Sequence, residues 1–127
     1  MNHAILIIED EAVLAKNMRT YLERQGCEVR CAATAEEGIA ALTAFPPDAV
    51  VLDFNLPGMD GLKALARIRS QCPDAKVIMV TGHASVELAV DAMKAGALDF
   101  LTKPVSLSKL GMLIERATAD ARKDRDR

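Results

Sequence analysis

Five short apolar runs alternate along this chain with longer stretches in which apolar residues recur at helical spacing. The runs span residues 4–8, 27–32, 49–52, 76–80 and 98–101. Alternation of buried strands with helices is typical of βαβ units, in which helices cover both faces of a parallel sheet. The sequence therefore predicts an α/β fold built on five parallel strands.

The length and the charge of the chain limit what such a fold can bind by itself. A chain of 127 residues has room for one compact domain, and folding at this size buries roughly two-thirds of the unfolded surface. Sixteen Lys and Arg residues against eighteen Asp and Glu residues give a net charge of −2. That balance provides no strong field for nucleic acid or an anionic membrane. We therefore expect no direct nucleic-acid contact and no membrane partner.

The cysteines indicate a reducing compartment. There are three, an odd number, and their spacing matches neither a disulfide framework nor a zinc site. Cys27 and Cys31 fall in one predicted strand, roughly 13 Å apart, which is too far for a disulfide bond. The apolar start from Ala4 to Ile8 is too short for a signal peptide or a membrane span. We expect a cytoplasmic protein with reduced thiols.

Local signals predict the ends and the buried faces of the helices. Thr34 and Glu37 form a capping-box pattern at the start of the second helix. Gly26 ends the first helix, and Ser106 or Ser108 caps the fifth. The residues predicted to face inward are Val13, Leu14, Met18, Tyr21 and Leu22 in the first helix, Ile39 and Leu42 in the second, Leu62, Leu65 and Ile68 in the third, Val86, Ala89, Val90 and Met93 in the fourth, and Leu110, Leu113, Ile114 and Ala117 in the fifth.

The second strand and the two ends of the chain carry weaker signals. Cys27, Val29 and Cys31 alternate with charged residues, which is typical of a less protected strand at the edge of a sheet. His3 precedes the first strand and is expected at the surface. The domain is expected to span residues 1–119. Residues 120–127 mix both signs of charge, which predicts a solvated helix end or the start of a linker.

Polar residues follow four of the predicted strands. Glu9 and Asp10 follow the first strand, Asp53 the third, Thr81 the fourth and Lys103 the fifth. The carboxyl ends of parallel strands lie on one edge of the sheet, where such folds bind ligands. One hydrophilic strand end is common, but this convergence of acids, hydroxyl and ammonium predicts a site.

The charges predict the chemistry of that site. Three carboxylates within a few ångströms repel one another unless a cation lies between them. Oxygen ligands with few protein groups suit Mg²⁺, which keeps several waters and accepts a phosphoryl oxygen. Lys103 could meet a phosphate as a second cation, and Thr81 could donate a hydrogen bond to it. No glycine-rich phosphate loop follows the first strand, so a nucleotide site is not expected.

These residues resemble the CheY-like receiver domain of bacterial two-component response regulators. The matching motifs are Glu9-Asp10, Asp53 with the downstream stretch 56–61, Thr81-Gly82 and Lys103-Pro104, separated by 28 residues from Asp53 to Thr81 and by 22 from Thr81 to Lys103. The four motifs occur in order over nearly the whole chain. The resemblance implies a flavodoxin-like (βα)5 three-layer sandwich with the strand order 2-1-3-4-5.

The resemblance also implies a role for each acid. Asp53 would be the phosphorylation site, which takes a phosphoryl group from a sensor histidine kinase. Asp10, Asp53 and the backbone carbonyl of Asn55 would bind Mg²⁺ directly, and Glu9 would act through water. Lys103 would pair with the phosphoryl oxygens.

Other positions would tune or transmit the signal. The resemblance implies a cis peptide bond before Pro104. Asn55 and His83 resemble the positions that set the lifetime of the acyl phosphate, although His83 also fits a plain exposed loop residue. Phe100 resembles the family's switch aromatic, which moves inward when Thr81 moves; the alternative is an ordinary core residue.

The output is implied more coarsely. The fourth helix, fifth strand and fifth helix would form the surface for a homodimer or a partner, and kinase specificity would lie around Leu14, Ala15 and Met18. The stretch 83–100 looks most like receivers of NtrC-type transcriptional activators, which continue into ATPase and DNA-binding domains. We expect a receiver excised from such a protein, with a C-terminal effector domain outside this chain. A stand-alone single-domain regulator in a phosphorelay is the alternative.

Two other functions fit parts of the pattern. A Mg²⁺-dependent phosphatase of the haloacid-dehalogenase type would also use an aspartyl phosphate, but it needs a second Asp at position 55, where this chain has Asn55. We therefore expect no enzyme activity beyond self-phosphorylation and self-dephosphorylation. A phosphate-independent interaction module is the other alternative, although all the ionic residues are present.

Overall fold

The computed structural model describes residues 3–83 and 85–125. Residues 126 and 127, at the end of the predicted charged tail, lie outside the described residues. Strands and helices alternate through the chain as β1 Ala4–Ile8, α1 Ala12–Arg24, β2 Glu28–Ala32, α2 Ala35–Ala41, β3 Ala49–Asp53, α3 Gly61–Gln71, β4 Lys76–Thr81, α4 Val86–Lys94, β5 Asp99–Thr102 and α5 Leu107–Arg125.

The five strands form one parallel sheet in the order β2-β1-β3-β4-β5. One face packs against α1 and α5, whose Met18, Leu22 and Leu110 join a core with Ile5 and Ile7. The other face packs against α2, α3 and α4 around Leu6, Ile8 and Leu52. Apolar runs buried on both sides explain why β1, β3 and β4 are nearly continuous in Ile, Leu and Val. The predicted three-layer α/β fold and its strand order are confirmed.

The predicted helix signals operate in the structure. Thr34 is the N-cap of α2 and its hydroxyl accepts from Glu37 N at 3.1 Å. The Glu37 carboxylate accepts in return from Ala33 N, one residue earlier than in the usual capping box. Gly26 follows α1 with φ +94°, a conformation that glycine adopts at little cost. Ser106 caps α5 by accepting from Lys109 N.

The buried face predicted for α4 is wrong at three of its four residues; the fourth, Ala89, is half-buried and lines an inner cavity. Val86, Val90 and Met93 are 80%, 42% and 45% exposed, whereas Ala92 is buried. This helix carries two apolar stripes on nearly opposite sides, because residues advance by about 100° around a helix. The sheet takes the stripe that contains Leu88 and Ala92, since small side chains allow close approach. The bulkier stripe faces outward.

Two further placements, those of Val13 and His3, were wrong for local reasons, whereas the less protected edge strand predicted around Cys31 is confirmed as β2. Val13 is 75% exposed, because it lies roughly 140° or more around the helix from the buried stripe of α1 that contains Met18 and Leu22. Cys31 is exposed because it lines an open cleft between α1 and the edge strand β2. His3 is buried rather than at the surface, and its Nδ1 lies 3.8 Å from Asp48 Oδ2.

All three cysteines lie within the described residues. Cys27, Cys31 and Cys72 are all free thiols, and burial raises the pKa of each. Within residues 3–83 and 85–125 no helix has the length and apolar character needed to span a bilayer.

Candidate functional site

Three carboxylates converge at the carboxyl edge of the sheet. One oxygen from each of Glu9, Asp10 and Asp53 lies within 4.8 Å of the others. Glu9 and Asp53 are each 3% exposed, whereas Asp10 is exposed at the mouth of the site. The geometry follows from topology, because β1 and β3 are neighbours and both end at this edge. The sequence-predicted acids are therefore brought together.

Backbone amides hold the two buried carboxylates in place. Asn55 N donates to Asp53 Oδ1 at 3.0 Å, and Glu11 N donates to Glu9 Oε2 at 3.0 Å. Both donors come from the loop that directly follows the strand. Hydrogen bonds of this kind favour the ionised carboxylate and fix its orientation.

Lys103 supplies the cation that these acids require. Its Nζ lies 3.2 Å from Asp53 Oδ2 and 3.1 Å from Glu9 Oε1, and it also contacts the Glu11 carboxylate. Burial lowers the pKa of Lys103, but the bonds with Glu11, Glu9 and Asp53 outweigh it, so the pKa lies above its usual value. The following peptide bond to Pro104 is cis.

Glu9 is the least stable charge in the site. Burial raises its pKa from 4.5 to about 7; the Glu11 backbone amide opposes this shift, and the neighbouring Asp53 carboxylate adds to it. The Lys103 ammonium lowers the pKa only in part. Near neutral pH a cation that binds at Glu9 can therefore displace the proton from its carboxyl group.

The Glu9 shift predicts a pH dependence of stability. The folded chain holds a proton on Glu9 up to about pH 7, whereas the unfolded chain loses it near the ordinary value. The free energy of unfolding should therefore fall as pH rises from about 5.5 to about 7.5, by an amount on the order of 2 kcal/mol. Urea denaturation without divalent ions measures it, and Glu9→Gln should flatten this slope. An unchanged slope in that variant would assign the titration to another group.

A hydroxyl and an aromatic ring lie beside the acids. The buried Thr81 hydroxyl accepts from His83 N at 3.1 Å and from Asn55 Nδ2 at 3.4 Å. Behind it lies a small apolar cavity lined by both Thr81 and the half-buried Phe100, together with Phe54, Met79, Leu88, Ala89 and Ala92. The His83 and Asn55 side chains are on exposed positions. Thr81 and Phe100 thus line the same small cavity.

The donor set fits Mg²⁺. All the candidate ligands are oxygens. In proteins Mg²⁺ typically binds one or two carboxylates and keeps water molecules in its other coordination positions. Glu9 Oε1 is buried and accepts no hydrogen bond from the described residues; Lys103 meets it only as an ion pair. An oxygen in this state is suited to a cation or to a water molecule that the cation carries.

Two contacts in the site were not predicted from the sequence. The Glu11 carboxylate contacts Lys103, and the Asn55 side chain reaches the Thr81 hydroxyl. The signal for Glu11 was its place as the third acid of the run 9–11. Strand-end logic does not identify it, because Glu11 belongs to the start of α1.

The chain is similar to known regulators over most of its length. Residues 5–115 match the response regulator receiver domain. The chain is 37% identical to the regulatory protein AtoC of Escherichia coli K12 over 113 residues, which cover 89% of this chain and 24% of that protein. It is 37% identical to the nitrogen assimilation regulatory protein NtrX of Azorhizobium caulinodans over an alignment of 128 residues. That alignment covers 99% of this chain and 28% of NtrX. The chain thus spans about a quarter of the length of these relatives.

Solved structures share the architecture. A receiver domain protein (CheY-like) from Methanospirillum hungatei superposes with a TM-score of 0.90 at 34% identity, covering 98% of this chain and 99% of that one. NtrX from Brucella abortus superposes with a TM-score of 0.89 at 35% identity, covering 99% of this chain and 29% of that one. The similarity includes the whole sheet and the edge that carries the acids.

Proposed function

This chain belongs to the family of response regulator receiver domains, and on that premise we propose that Asp53 accepts a phosphoryl group from the phosphohistidine of a sensor histidine kinase. One observation carries the proposal. The Asp53 carboxylate is 3% exposed and lies between a cluster of acids and the Lys103 ammonium, 3.2 Å away. A nucleophile in that position has a cation on hand for the oxygens of an incoming phosphoryl group.

The transfer exchanges one bond to phosphorus for another. A carboxylate oxygen of Asp53 forms the new P–O bond while the P–N bond to the donor imidazole breaks, and the imidazole nitrogen keeps the electron pair. Asp10, Asp53 and the backbone carbonyl of Asn55 would hold Mg²⁺, with Glu9 acting through water. When bound, this ion supplies positive charge to the phosphoryl oxygens. Lys103 would pair with the same oxygens.

The phosphoryl group then changes the local structure. It adds about −1.5 to −2 charges and strong acceptor oxygens. The Thr81 hydroxyl turns from His83 N and Asn55 Nδ2 to donate to it, and Phe100 moves into the space that Thr81 leaves. The cavity that both residues line supports this coupling. Asn55 and His83 modulate the lifetime of the acyl phosphate from their exposed positions.

Beryllofluoride, a non-covalent stand-in for the phosphoryl group, tests the proposal. With Mg²⁺ it should shift the amide resonances of Thr81 and Phe100 together in an NMR titration, since both residues belong to one two-state element. Mg²⁺ alone should shift residues 9–11 and 53–55 but leave Phe100 in place. Movement of Thr81 without Phe100 would exclude Phe100 as the switch and leave it a core residue.

The outward apolar stripe of α4 supports the proposal that the α4-β5-α5 surface is the surface that contacts a partner. Val86, Val90 and Met93 form an apolar stripe on the α4-β5-α5 surface, and Met112 of α5 is 69% exposed. Isolated apolar residues are normal at a surface, but a contiguous stripe is typical of an interaction site. We propose that this surface forms a homodimer on phosphorylation. Sedimentation of the beryllofluoride complex, with Met93→Glu as the variant that remains monomeric, measures it.

The remaining partners are proposed from the relatives. A C-terminal effector domain that controls transcription would follow this chain, with a stand-alone cytoplasmic regulator in a phosphorelay as the alternative. The kinase would contact the outer face of α1. Ala15 and Met18 are buried and cannot form that contact, so the exposed Val13 replaces them. No hydrolysis of small phosphate esters is expected, because the Asn55 amide cannot act as a general acid. Self-dephosphorylation is the hydrolysis that we expect.

A further inference from the structure

Glu11 occupies an unusual position for a carboxylate. It is the N-cap residue of α1, yet its side chain accepts no capping hydrogen bond from that helix. Short polar side chains such as Asp, Asn, Ser and Thr are the usual N-caps, and a negative charge at a helix start is favourable. The Glu11 carboxylate turns instead to the Lys103 ammonium. The helix start thus loses a cap, and the site gains a fourth acid.

The Lys103 ammonium is fully engaged in this arrangement. An ammonium has three N–H donors, and three carboxylates, those of Glu9, Glu11 and Asp53, lie around it. A phosphoryl group on Asp53 would bring new oxygens that need one of these donors. Phosphorylation turns the Asp53 carboxylate into an uncharged acyl group and frees the one donor that Asp53 held. Three phosphoryl oxygens then compete for the ammonium, so a contact with one of the two glutamates gives way as well.

Exposure decides which carboxylate is released. The side chains of Glu9 and Asp53 are 1% and 3% exposed, whereas that of Glu11 is 59% exposed. A buried carboxylate that loses its partner suffers a large desolvation penalty, but an exposed one is solvated by water at once. Glu11 is also outside the cluster of acids that could hold a metal ion. Its contact with Lys103 is the one that costs least to break.

We propose that Glu11 is a positioning residue that holds the Lys103 ammonium at the rim of the unphosphorylated site and surrenders it to the phosphoryl group. The inference rests on the proposed phosphorylation of Asp53. Glu11 stabilises the resting site and so weakens uptake of the phosphoryl group. It also shares the Lys103 ammonium with Asp53 and Glu9, which weakens the attraction of Lys103 for those two carboxylates and leaves them more available to Mg²⁺.

Removing the Glu11 charge should therefore change two affinities in opposite directions. In Glu11→Gln, beryllofluoride should bind about two- to fivefold more tightly at saturating Mg²⁺, in the range set by an exposed ion pair. Mg²⁺ alone should bind about two- to fivefold more weakly, because Lys103 settles on Asp53 and Glu9. A purely structural role would weaken both. A general loss of negative field would give the same two changes in Glu11→Gln, because beryllofluoride is an anion and Mg²⁺ a cation, but it would leave both affinities nearly unchanged in a variant that keeps the charge.

NMR titrations of the wild-type chain and the variants measure both affinities. Glu28→Gln is the matched control, since Glu28 is an exposed acid at the opposite edge of the sheet; it should change neither affinity. Glu11→Asp keeps the charge but shortens the reach, and it should behave as Glu11→Gln does. In a Lys103→Met background, Glu11→Gln should give no gain in beryllofluoride affinity.

The outcomes separate this inference from the function on which it rests. Beryllofluoride that binds the wild type but is unaffected by Glu11→Gln would overturn the role of Glu11 alone. Affinities that fall together in Glu11→Gln, or a gain that survives without Lys103, would do the same. If beryllofluoride fails to bind the wild type, the assignment of Asp53 as the phosphoryl acceptor is wrong.

Discussion

Asp53→Asn is expected to lose phosphoryl uptake, to less than about a hundredth of the wild-type level. The amide has nearly the shape of the carboxylate, so it fits the same buried position, but its oxygen is a poor nucleophile and carries no charge for a cation. Incubation with Mg²⁺ and a small acyl phosphate, followed by mass spectrometry of the intact chain, measures the effect. The wild type should gain one phosphoryl group and the variant none.

Asp74→Asn provides the control for that loss. Asp74 is an exposed acid in the loop before β4, at the opposite edge of the sheet from the site. It should gain a phosphoryl group as the wild type does. A phosphoryl group found on Asp53→Asn would identify a different acceptor, and Asp10 would be the first to examine because it lies in the same cluster.

Lys103→Met should have the largest effect on stability. It removes the ammonium that lies between the buried Glu9 and Asp53 carboxylates. An uncompensated buried charge is strongly destabilising, and we expect a loss of about 3 kcal/mol in the free energy of unfolding without Mg²⁺ at about pH 7.5. Mg²⁺ should restore much of the loss and bind more tightly than to the wild type, since it no longer competes with Lys103.

The same variant has an internal check in its pH dependence. The loss should be smaller near pH 5.5, where the raised pKa of Glu9 keeps that carboxyl neutral. Urea denaturation at both pH values, with and without Mg²⁺, gives the comparison. Lys109→Met removes an exposed cation from α5 and should change stability little. A Lys103→Met chain as stable as that control would mean that the acids do not depend on Lys103.

The sheet and the acid cluster were predictable because each depends on a short-range signal. Burial on both faces makes β1, β3 and β4 apolar without interruption, and a polar residue directly after a strand marks the edge where parallel strands end. Asp53 and Glu9 were therefore placed at one edge by their positions at the carboxyl ends of two predicted parallel strands. No knowledge of side-chain packing was needed to place these two carboxylates at the same edge of the sheet.

The errors occurred where two local patterns compete. The sequence of α4 offers the bulky stripe of Val86 and Met93 and the small stripe of Ala92, and only packing against the sheet decides between them. Glu11 was missed because it contacts Lys103, which lies 92 positions away in the sequence. Contacts of that range depend on the complete fold.

The reactive groups and the outward helix faces lie on different parts of the fold, and this separation affects how related receiver domains can diverge. The acids, the hydroxyl and the ammonium lie at the ends of strands or shortly after them, whereas Val13 and the apolar stripe of α4 face outward from helices. Substitutions on these outer faces can alter which upstream and downstream proteins are recognised without moving a single reacting atom. Duplicated copies of such a gene could therefore acquire insulated signalling routes by surface change alone, while inheriting the same chemistry intact.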